Sequence, residues 1–123
     1  MLTIRTVPGD TPLEEFVEGV VRPRTLVGPD ESSELRVVFA TFDPGARNLW
    51  HTHAFDQGLL VTEGVGILAT EEEEREVKSG DFVLITAGER HWHGAAGTSP
   101  MAHLAVGIPG TTDFDGAAYA ATE

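Results

Sequence analysis

Cysteine is absent from the 123 residues of this sequence. Its absence excludes disulfides, thiolate metal sites and cysteine nucleophiles, so any metal ion must be bound by nitrogen and oxygen ligands. Long apolar runs are absent as well, because no segment approaches the roughly 18 apolar residues of a membrane span. The first residues, MLTIRTVPGD, contain no apolar stretch of signal-peptide length. We therefore expect no membrane partner and a cytoplasmic location.

Positive charge is scarce. The chain has 8 lysine and arginine residues against 20 aspartate and glutamate residues, which gives a formal net charge of -12. A surface of this sign repels phosphate backbones, so we expect no nucleic-acid partner. Four of the acidic residues form one run, Glu71 to Glu74. We interpret this run as a solvated hairpin tip that discourages edge pairing, rather than as a cation-binding patch.

Short apolar runs between turn-forming residues make up most of the sequence. The chain has 14 glycines and 7 prolines, and the runs between them are rich in Val, Leu, Ile, Phe and Thr. This pattern is typical of an all-β sandwich or barrel. The predicted strands are Glu18–Leu26, Leu35–Phe42, Leu59–Thr62, Gly66–Thr70, Glu74–Val77, Phe82–Ile85 and Met101–Ile108.

No linker divides the chain, so we expect a single domain over residues 1–123. Its barrel core is expected at about 35–108, between an N-terminal arm at 1–17 and a C-terminal tail at 109–123. Pro12–Val17 is predicted to form one helical turn. Ala117–Thr122 is expected to form either a short helix or a frayed tail.

Histidine is the residue type that points to chemistry. The five histidines form two His-x-His pairs and one single residue: His51, His53, His91, His93 and His103. Residues two apart on a strand share a face, so two such pairs on neighbouring strands can converge on one metal ion. Spacing alone leaves His91 and His93 interchangeable as ligands, and Gln57 can supply an oxygen. The adjacent Trp50 and Trp92 are predicted to be walls of a pocket.

The glycines around these histidines carry a family resemblance. The stretch GARNLWHTHAFDQGLLVTEG, from Gly45 to Gly64, resembles the first cupin motif, and GDFVLITAGERHWHG, from Gly80 to Gly94, resembles the second. The resemblance implies the cupin double-stranded β-helix, a jelly-roll-like β-barrel that holds one divalent metal ion.

Three positions depart from the cupin motifs. Gln57 replaces the usual Glu, Thr86 replaces the usual Pro, and Ala95 replaces the usual Asn. The change at residue 57 leaves a neutral amide, so the site carries one negative charge less. This favours Lewis-acid or acid–base chemistry over redox dioxygenase chemistry.

A narrower resemblance covers Leu35 to Val106. The segments PGARNLWHTHAFDQ, VTEGVG and GERHWHGAAGTSPMAHLAV resemble small single-domain bacterial cupins related to carboxymuconolactone decarboxylases, a group that includes manganese-dependent hydroxynitrile lyases. The resemblance implies that the metal ligands are His51, His53, Gln57 and His91. It implies manganese as the favoured ion, although Fe, Ni and Zn accept the same donors. It also implies a homodimer or homotetramer.

Two catalytic residues are predicted beside the metal ligands. His103 matches the general base that is proposed in the lyases, and His93 is expected to be a pocket residue that can also transfer protons. His103 lies in the predicted strand MAHLAVGI, whose other face is more apolar, so we expect it to face a polar cavity. Val38 and Ala40 are predicted to line the same cavity.

Three functions fit these residues. The first is a lyase-type metalloenzyme that acts on a small oxygen-bearing substrate. The second is an iron-dependent dioxygenase or isomerase, which Gln57 disfavours. The third is a cupin that binds a small ligand without catalysis.

Overall fold

The computed structural model describes residues 2–4, 6 and 11–119, and this part of the chain folds into β-strands without a helix. None of these residues therefore belongs to a helix that could cross a membrane. The strands are β1 (Val17–Glu18), β2 (Val21–Val27), β3 (Arg36–Phe42), β4 (Arg47–Asn48), β5 (Thr52–His53), β6 (Gln57–Thr70), β7 (Glu74–Lys78), β8 (Phe82–Ile85), β9 (His91–Ala95), β10 (Met101–Gly107), β11 (Thr112–Phe114) and β12 (Ala117–Tyr119).

All strand pairs are antiparallel, and together they form a nearly closed barrel. The larger sheet has the order β1-β4-β9-β6-β10-β3-β2, and β7 and β8 also pair with β6. The smaller sheet has the order β12-β11-β5. The all-β prediction is confirmed, and strands lie on both sides of the expected 35–108 range.

The long strand β6 joins the two halves of the barrel. Its first half pairs with β8 and β10, and its second half pairs with β7 and β9. Gly64 lies where the pairing changes, with a φ of 74°. A Cβ atom at residue 64 would collide with the carbonyl oxygen of Pro100. The glycine therefore allows β6 to bend without ending.

Several sequence-based boundaries were wrong. Leu59–Thr62 and Gly66–Thr70 were predicted as two strands, but they belong to the single strand β6, since Gly64 bends the strand instead of starting a turn. Pro12–Val17 forms no helical turn. Instead the Leu13 amide donates to Val21 O, and β1 pairs with β4.

The end of the chain also differs from its prediction. Ala117–Tyr119 forms strand β12 rather than a helix or a frayed tail, while the rest of Ala117–Thr122 lies outside the described residues. Strand β9 was not predicted. Its sequence, HWHGA, alternates histidine with Trp and Gly, so it lacks the run of apolar residues by which the other strands were found, although all five residues are buried. The acidic run Glu71–Glu74 is exposed: its first three residues connect β6 to β7 and Glu74 begins β7, as the hairpin interpretation predicts.

The barrel interior contains both an apolar core and a polar cluster. Inward-facing residues of β3, β6 and β10 supply much of the apolar core, which includes Ala40, Phe42, Val61 and Met101. The same interior buries all five histidines. The other buried polar residues described are Asn48, Gln57 and Thr112. Burial of so many polar groups at a cost in desolvation indicates a functional site.

Candidate metal centre

Backbone hydrogen bonds fix the positions of His51 and His91 and the direction of both rings. Their peptide groups exchange two hydrogen bonds of 2.9 Å, and their rings lie 4.3 Å apart. His51 Nδ1 donates to Leu49 O at 2.6 Å, and His91 Nδ1 donates to Glu89 O at 2.8 Å. Because a carbonyl oxygen only accepts, both protons are on Nδ1. Both Nε2 atoms are buried without a partner, so their lone pairs are available to a metal ion.

His93 completes a group of three imidazoles. One ring nitrogen from each of His51, His91 and His93 lies within 4.8 Å of the others. His93 Nε2, like the other two, is buried without a hydrogen-bond partner. Three unpartnered imidazole nitrogens, buried together, fit a divalent transition metal and have no other evident purpose.

His53 and Gln57 lie next to this group and are bonded to each other. His53 Nε2 donates to Gln57 Oε1 at 3.0 Å, and His53 Nδ1 lies 2.8 Å from Thr112 Oγ1. Both residues are ligands that the family resemblance implies, and here their Nε2 and Oε1 atoms bond to each other instead. If His53 binds a metal through Nε2, its proton must move to Nδ1, and the Thr112 hydroxyl can accept that hydrogen bond.

The His93–His103 pair has roles that depend on each other. His103 Nε2 lies 3.0 Å from His93 Nδ1, and His103 Nδ1 is buried without a partner. If His93 Nδ1 donates, His93 Nε2 is free for a metal, but His103 Nδ1 then carries a proton. If His103 Nε2 donates, His103 Nδ1 is a free base and His93 Nε2 is protonated. A neutral pair therefore cannot supply a metal ligand from His93 and a base from His103 at once.

Burial keeps the histidines in the neutral form that metal binding and base catalysis require. Desolvation is the main cause in each case. It lowers the pKa of His51 to about 2, with a further contribution from His91. It lowers the pKa of His53 and of His103 to about 4. The pKa values of His91 and His93 are also lowered, and that of His93 lies well below its usual range because burial desolvates the ring and four neighbouring histidines add to the effect.

The structure adds site residues that sequence reasoning missed. Phe114 contacts the His51 ring at a centroid distance of 4.9 Å, and Phe16 stacks on Phe114 at 4.3 Å. Thr112, which bonds His53, is 59 positions away along the chain. Phe16, Thr112 and Phe114 lie in the expected arm and tail, outside both motifs, and only the pairing of β11 with β5 brings Thr112 to His53.

The predicted pocket residues have different surroundings. Ala40 is the cross-strand partner of His103, and Val38 is that of Ala105; both side chains are buried. Trp50 and Trp92 instead pack against arginine side chains. The Arg90 guanidinium lies 4.3 Å above the Trp50 ring, and that of Arg47 lies 4.6 Å above Trp92. These contacts give no support to the prediction that the tryptophans are pocket walls.

Comparison with known proteins agrees with this geometry. The family model for the cupin domain matches residues 38–107. A curated relative, the (R)-mandelonitrile lyase of Granulicella tundricola, is 41% identical over 99 residues, which are 80% of this chain and 75% of the relative.

Solved structures support the same fold. A cupin-like protein from Thermotoga maritima is 32% identical, with a TM-score of 0.77 over 85% of this chain and 80% of its own. The polyketide cyclase RemF from Streptomyces resistomycificus shares the fold at 19% identity, with a TM-score of 0.73 over 86% of this chain and 80% of its own. The all-β barrel with its buried histidines is a cupin fold, and the chain belongs to the cupin family.

Proposed function

We propose that this cupin is a metal-dependent enzyme that acts on a small oxygen-bearing substrate by Lewis-acid and general-base chemistry. The observation that carries the proposal is the buried histidine cluster, in which the Nε2 lone pairs of His51 and His91 have no partner and the His53–Gln57 pair lies beside them. When bound, a divalent ion supplies Lewis acidity that lowers the pKa of a substrate hydroxyl. We favour manganese, and Fe, Ni or Zn can bind the same donors.

The proposed ligands are His51, His53, Gln57 and His91. His51 and His91 already direct Nε2 lone pairs into the site. His53 and Gln57 offer a nitrogen and an oxygen beside them. With this ligand set, His93 carries its proton on Nε2 and accepts the hydrogen bond from His103, which leaves His103 Nδ1 as the base.

The named relative suggests that the reaction is cleavage of a cyanohydrin. His103 Nδ1 accepts the proton of the substrate hydroxyl, the oxygen electrons form the carbonyl bond, and the bond to the nitrile carbon breaks. Cyanide leaves with the electron pair and takes the proton back from His103, so that an aldehyde and hydrogen cyanide are released. Burial lowers the pKa of His103 to about 4, so the imidazole is unprotonated at neutral pH. The low pKa also makes it a weak base, so the transfer requires a substrate hydroxyl whose own pKa is lowered.

Replacement of His103 tests this proposal. We expect His103→Ala to reduce mandelonitrile cleavage by a factor of about 10²–10⁴, the range of general-base contributions. The metal content, measured by elemental analysis, should equal that of the wild type. Thr25→Val, an exposed change on β2, is the control and should affect neither quantity. Full cleavage activity in His103→Ala would refute the assignment of the base.

A redox function makes a different prediction. If the protein is an iron-dependent dioxygenase, the iron-loaded protein should consume oxygen with a catechol or thiol, and activity should disappear without oxygen. Cyanohydrin cleavage should be the same in air and under nitrogen, because no electron passes to an acceptor.

A further inference from the structure

A cavity of about 600 Å³ lies next to the candidate metal centre. Residues 11–17, Asn48 and Phe114 form its walls. Its volume is within the range of about 300–1,000 Å³ that is usual for small-molecule sites. Phe114 is the wall shared with the centre, because its ring also contacts the imidazole of His51.

Asn48 is the polar group of this cavity that calls for an explanation. The residue is 1% exposed, and its Oδ1 atom is buried without a hydrogen-bond partner in the protein. A buried acceptor left unpaired is costly, so such groups usually serve a ligand or a water molecule. Asn48 lies in β4, whose other residue Arg47 pairs with Gly94, directly after His93. The amide is therefore on the strand adjacent to the histidine-bearing β9.

Another wall of the cavity is aromatic and strained. Phe16 has a φ of 64°, a left-handed conformation that is rare for a large side chain and is found mainly at functional sites. Its ring stacks on Phe114 with an interplanar angle of 11°. Its carbonyl oxygen accepts a hydrogen bond from Leu49 N, and Leu49 O accepts one from His51 Nδ1. The Leu49 peptide thus connects the cavity wall to His51.

We propose that this cavity binds the non-reacting part of the substrate. A flat apolar group packs against the Phe16–Phe114 stack, and a hydroxyl or N–H group of the ligand donates to Asn48 Oδ1. The exposed Glu14 and Glu15 at the cavity disfavour anions, which agrees with the uncharged substrate proposed above. This inference rests on the proposed function, because it assigns the second half of the same substrate site.

Two small aromatic ligands, one with a hydrogen-bond donor and one without, test the role of Asn48. Benzyl alcohol has a ring and a hydroxyl donor, whereas benzyl methyl ether has the ring without the donor. We expect metal-free protein to bind the alcohol more tightly. Asn48→Leu should weaken alcohol binding about tenfold, the value of one hydrogen bond, and leave ether binding unchanged. Asn48→Asp, which keeps an acceptor oxygen, should retain more alcohol binding than Asn48→Leu.

Nuclear magnetic resonance gives a readout that needs no variant. Asn48 is the single asparagine and Gln57 the single glutamine of the sequence, so their side-chain amide signals are separately assignable. Benzyl alcohol should shift the Asn48 amide signals more than the ether does. Phe114→Leu should weaken the binding of both probes, while Thr25→Val should change neither.

The outcomes separate this inference from the proposed function. Equal affinity for alcohol and ether, an unchanged Asn48 signal, or a crystal structure with only a buried water at Asn48 would overturn the cavity assignment. Metal content and cyanohydrin cleavage would remain as they are in each of those cases. Conversely, loss of metal binding with intact alcohol binding would overturn the proposed function alone.

Discussion

At the scale of single residues, the site depends on which ring nitrogen of each histidine carries the proton. His51 and His91 donate from Nδ1 to backbone carbonyls, so their Nε2 lone pairs are prepared before a metal ion arrives. His53 and His93 instead bond to side chains, so each can present either nitrogen after a proton moves. The first two are therefore the fixed part of the proposed metal site.

This difference predicts how metal content responds to substitution. His53→Ala should reduce bound manganese at least about tenfold, in line with the loss of one ligand, whereas His93→Ala should retain most of it. Elemental analysis of both variants, prepared side by side, makes the comparison. Loss of metal in His93→Ala with full metal in His53→Ala would assign the ligands to His51, His91 and His93, and His103 would then carry a proton on Nδ1.

Sequence reasoning reached the histidines because strand periodicity and motif glycines are local features. It predicted that His51 and His53 share a face, as do His91 and His93, and the structure brings all five histidines into one buried cluster. It could not find Thr112, Phe114 or Asn48, because their contacts depend on pairing between distant strands. Nor could spacing show that His93 and His103 bond to each other.

At the scale of elements, β6 shows why the strand boundaries were misjudged. Glycines usually mark turns between strands, and Gly64 lies in the gap that was left between the predicted strands Leu59–Thr62 and Gly66–Thr70. In the barrel, the bend at Gly64 lets one strand pair with β8 and β10 before it pairs with β7 and β9. Gln57 is the first residue of this strand and pairs with Ile85 of β8, so the pairing of the first half of β6 positions a proposed metal ligand.

We expect Gly64→Ala to lower the free energy of unfolding by more than the usual cost of placing alanine at a positive φ. Gly80→Ala is the matched control, since Gly80 has a φ of 97° with open space around it. The control should cost about 1–2 kcal/mol for the left-handed backbone. Gly64→Ala should cost about 1–3 kcal/mol more, because its methyl group meets the Pro100 carbonyl. Urea unfolding of both variants measures the difference, and equal costs would contradict the role of the bend.

At the scale of the whole molecule, the buried histidines make stability depend on pH. Above about pH 6.5 the histidines are neutral in both the folded and the unfolded chain, so they add no pH dependence. Below that pH the histidines of the unfolded chain bind protons, whereas those of the folded chain stay neutral because their pKa values are lowered. Stability therefore falls as pH decreases from about 6.5, until His53 and His103 also protonate in the folded state near pH 4.

We expect metal-free protein to lose roughly 1.4 kcal/mol per pH unit for each histidine that stays neutral in this range. Urea unfolding at several pH values between 7 and 4 measures the loss. His103→Asn, which removes one titrating group, should reduce the slope. A free energy of unfolding that is constant from pH 7 to pH 4.5 would show that the histidines are not buried as described.

The outer face of the barrel offers a surface for self-association. Phe82, Leu84 and Leu60 are exposed there, and Leu104 and Phe39 are half-buried beside them on β10 and β3. These strands present an apolar face to solvent, and the outward-facing side chains named carry no charge. Such a face is typical of a protein interface, and we expect a second copy of the chain to bind there. The homodimer or homotetramer stays a prediction.

Light scattering after gel filtration checks this prediction. Leu84→Lys places a charge in the middle of the apolar face and should yield monomers, whereas Glu72→Lys at the exposed hairpin tip should leave the oligomer intact. A wild-type chain that is monomeric at high concentration would contradict it.

The most direct test of the account is the metal content of purified protein grown with added manganese. Elemental analysis should find close to one divalent ion per wild-type chain. It should find almost none in His51→Ala, because this variant lacks the Nε2 lone pair that lies beside that of His91. Circular dichroism should show the same β-sheet signal for both proteins. A correctly folded wild-type protein without a stoichiometric metal ion, even after supplementation, would contradict the central claim.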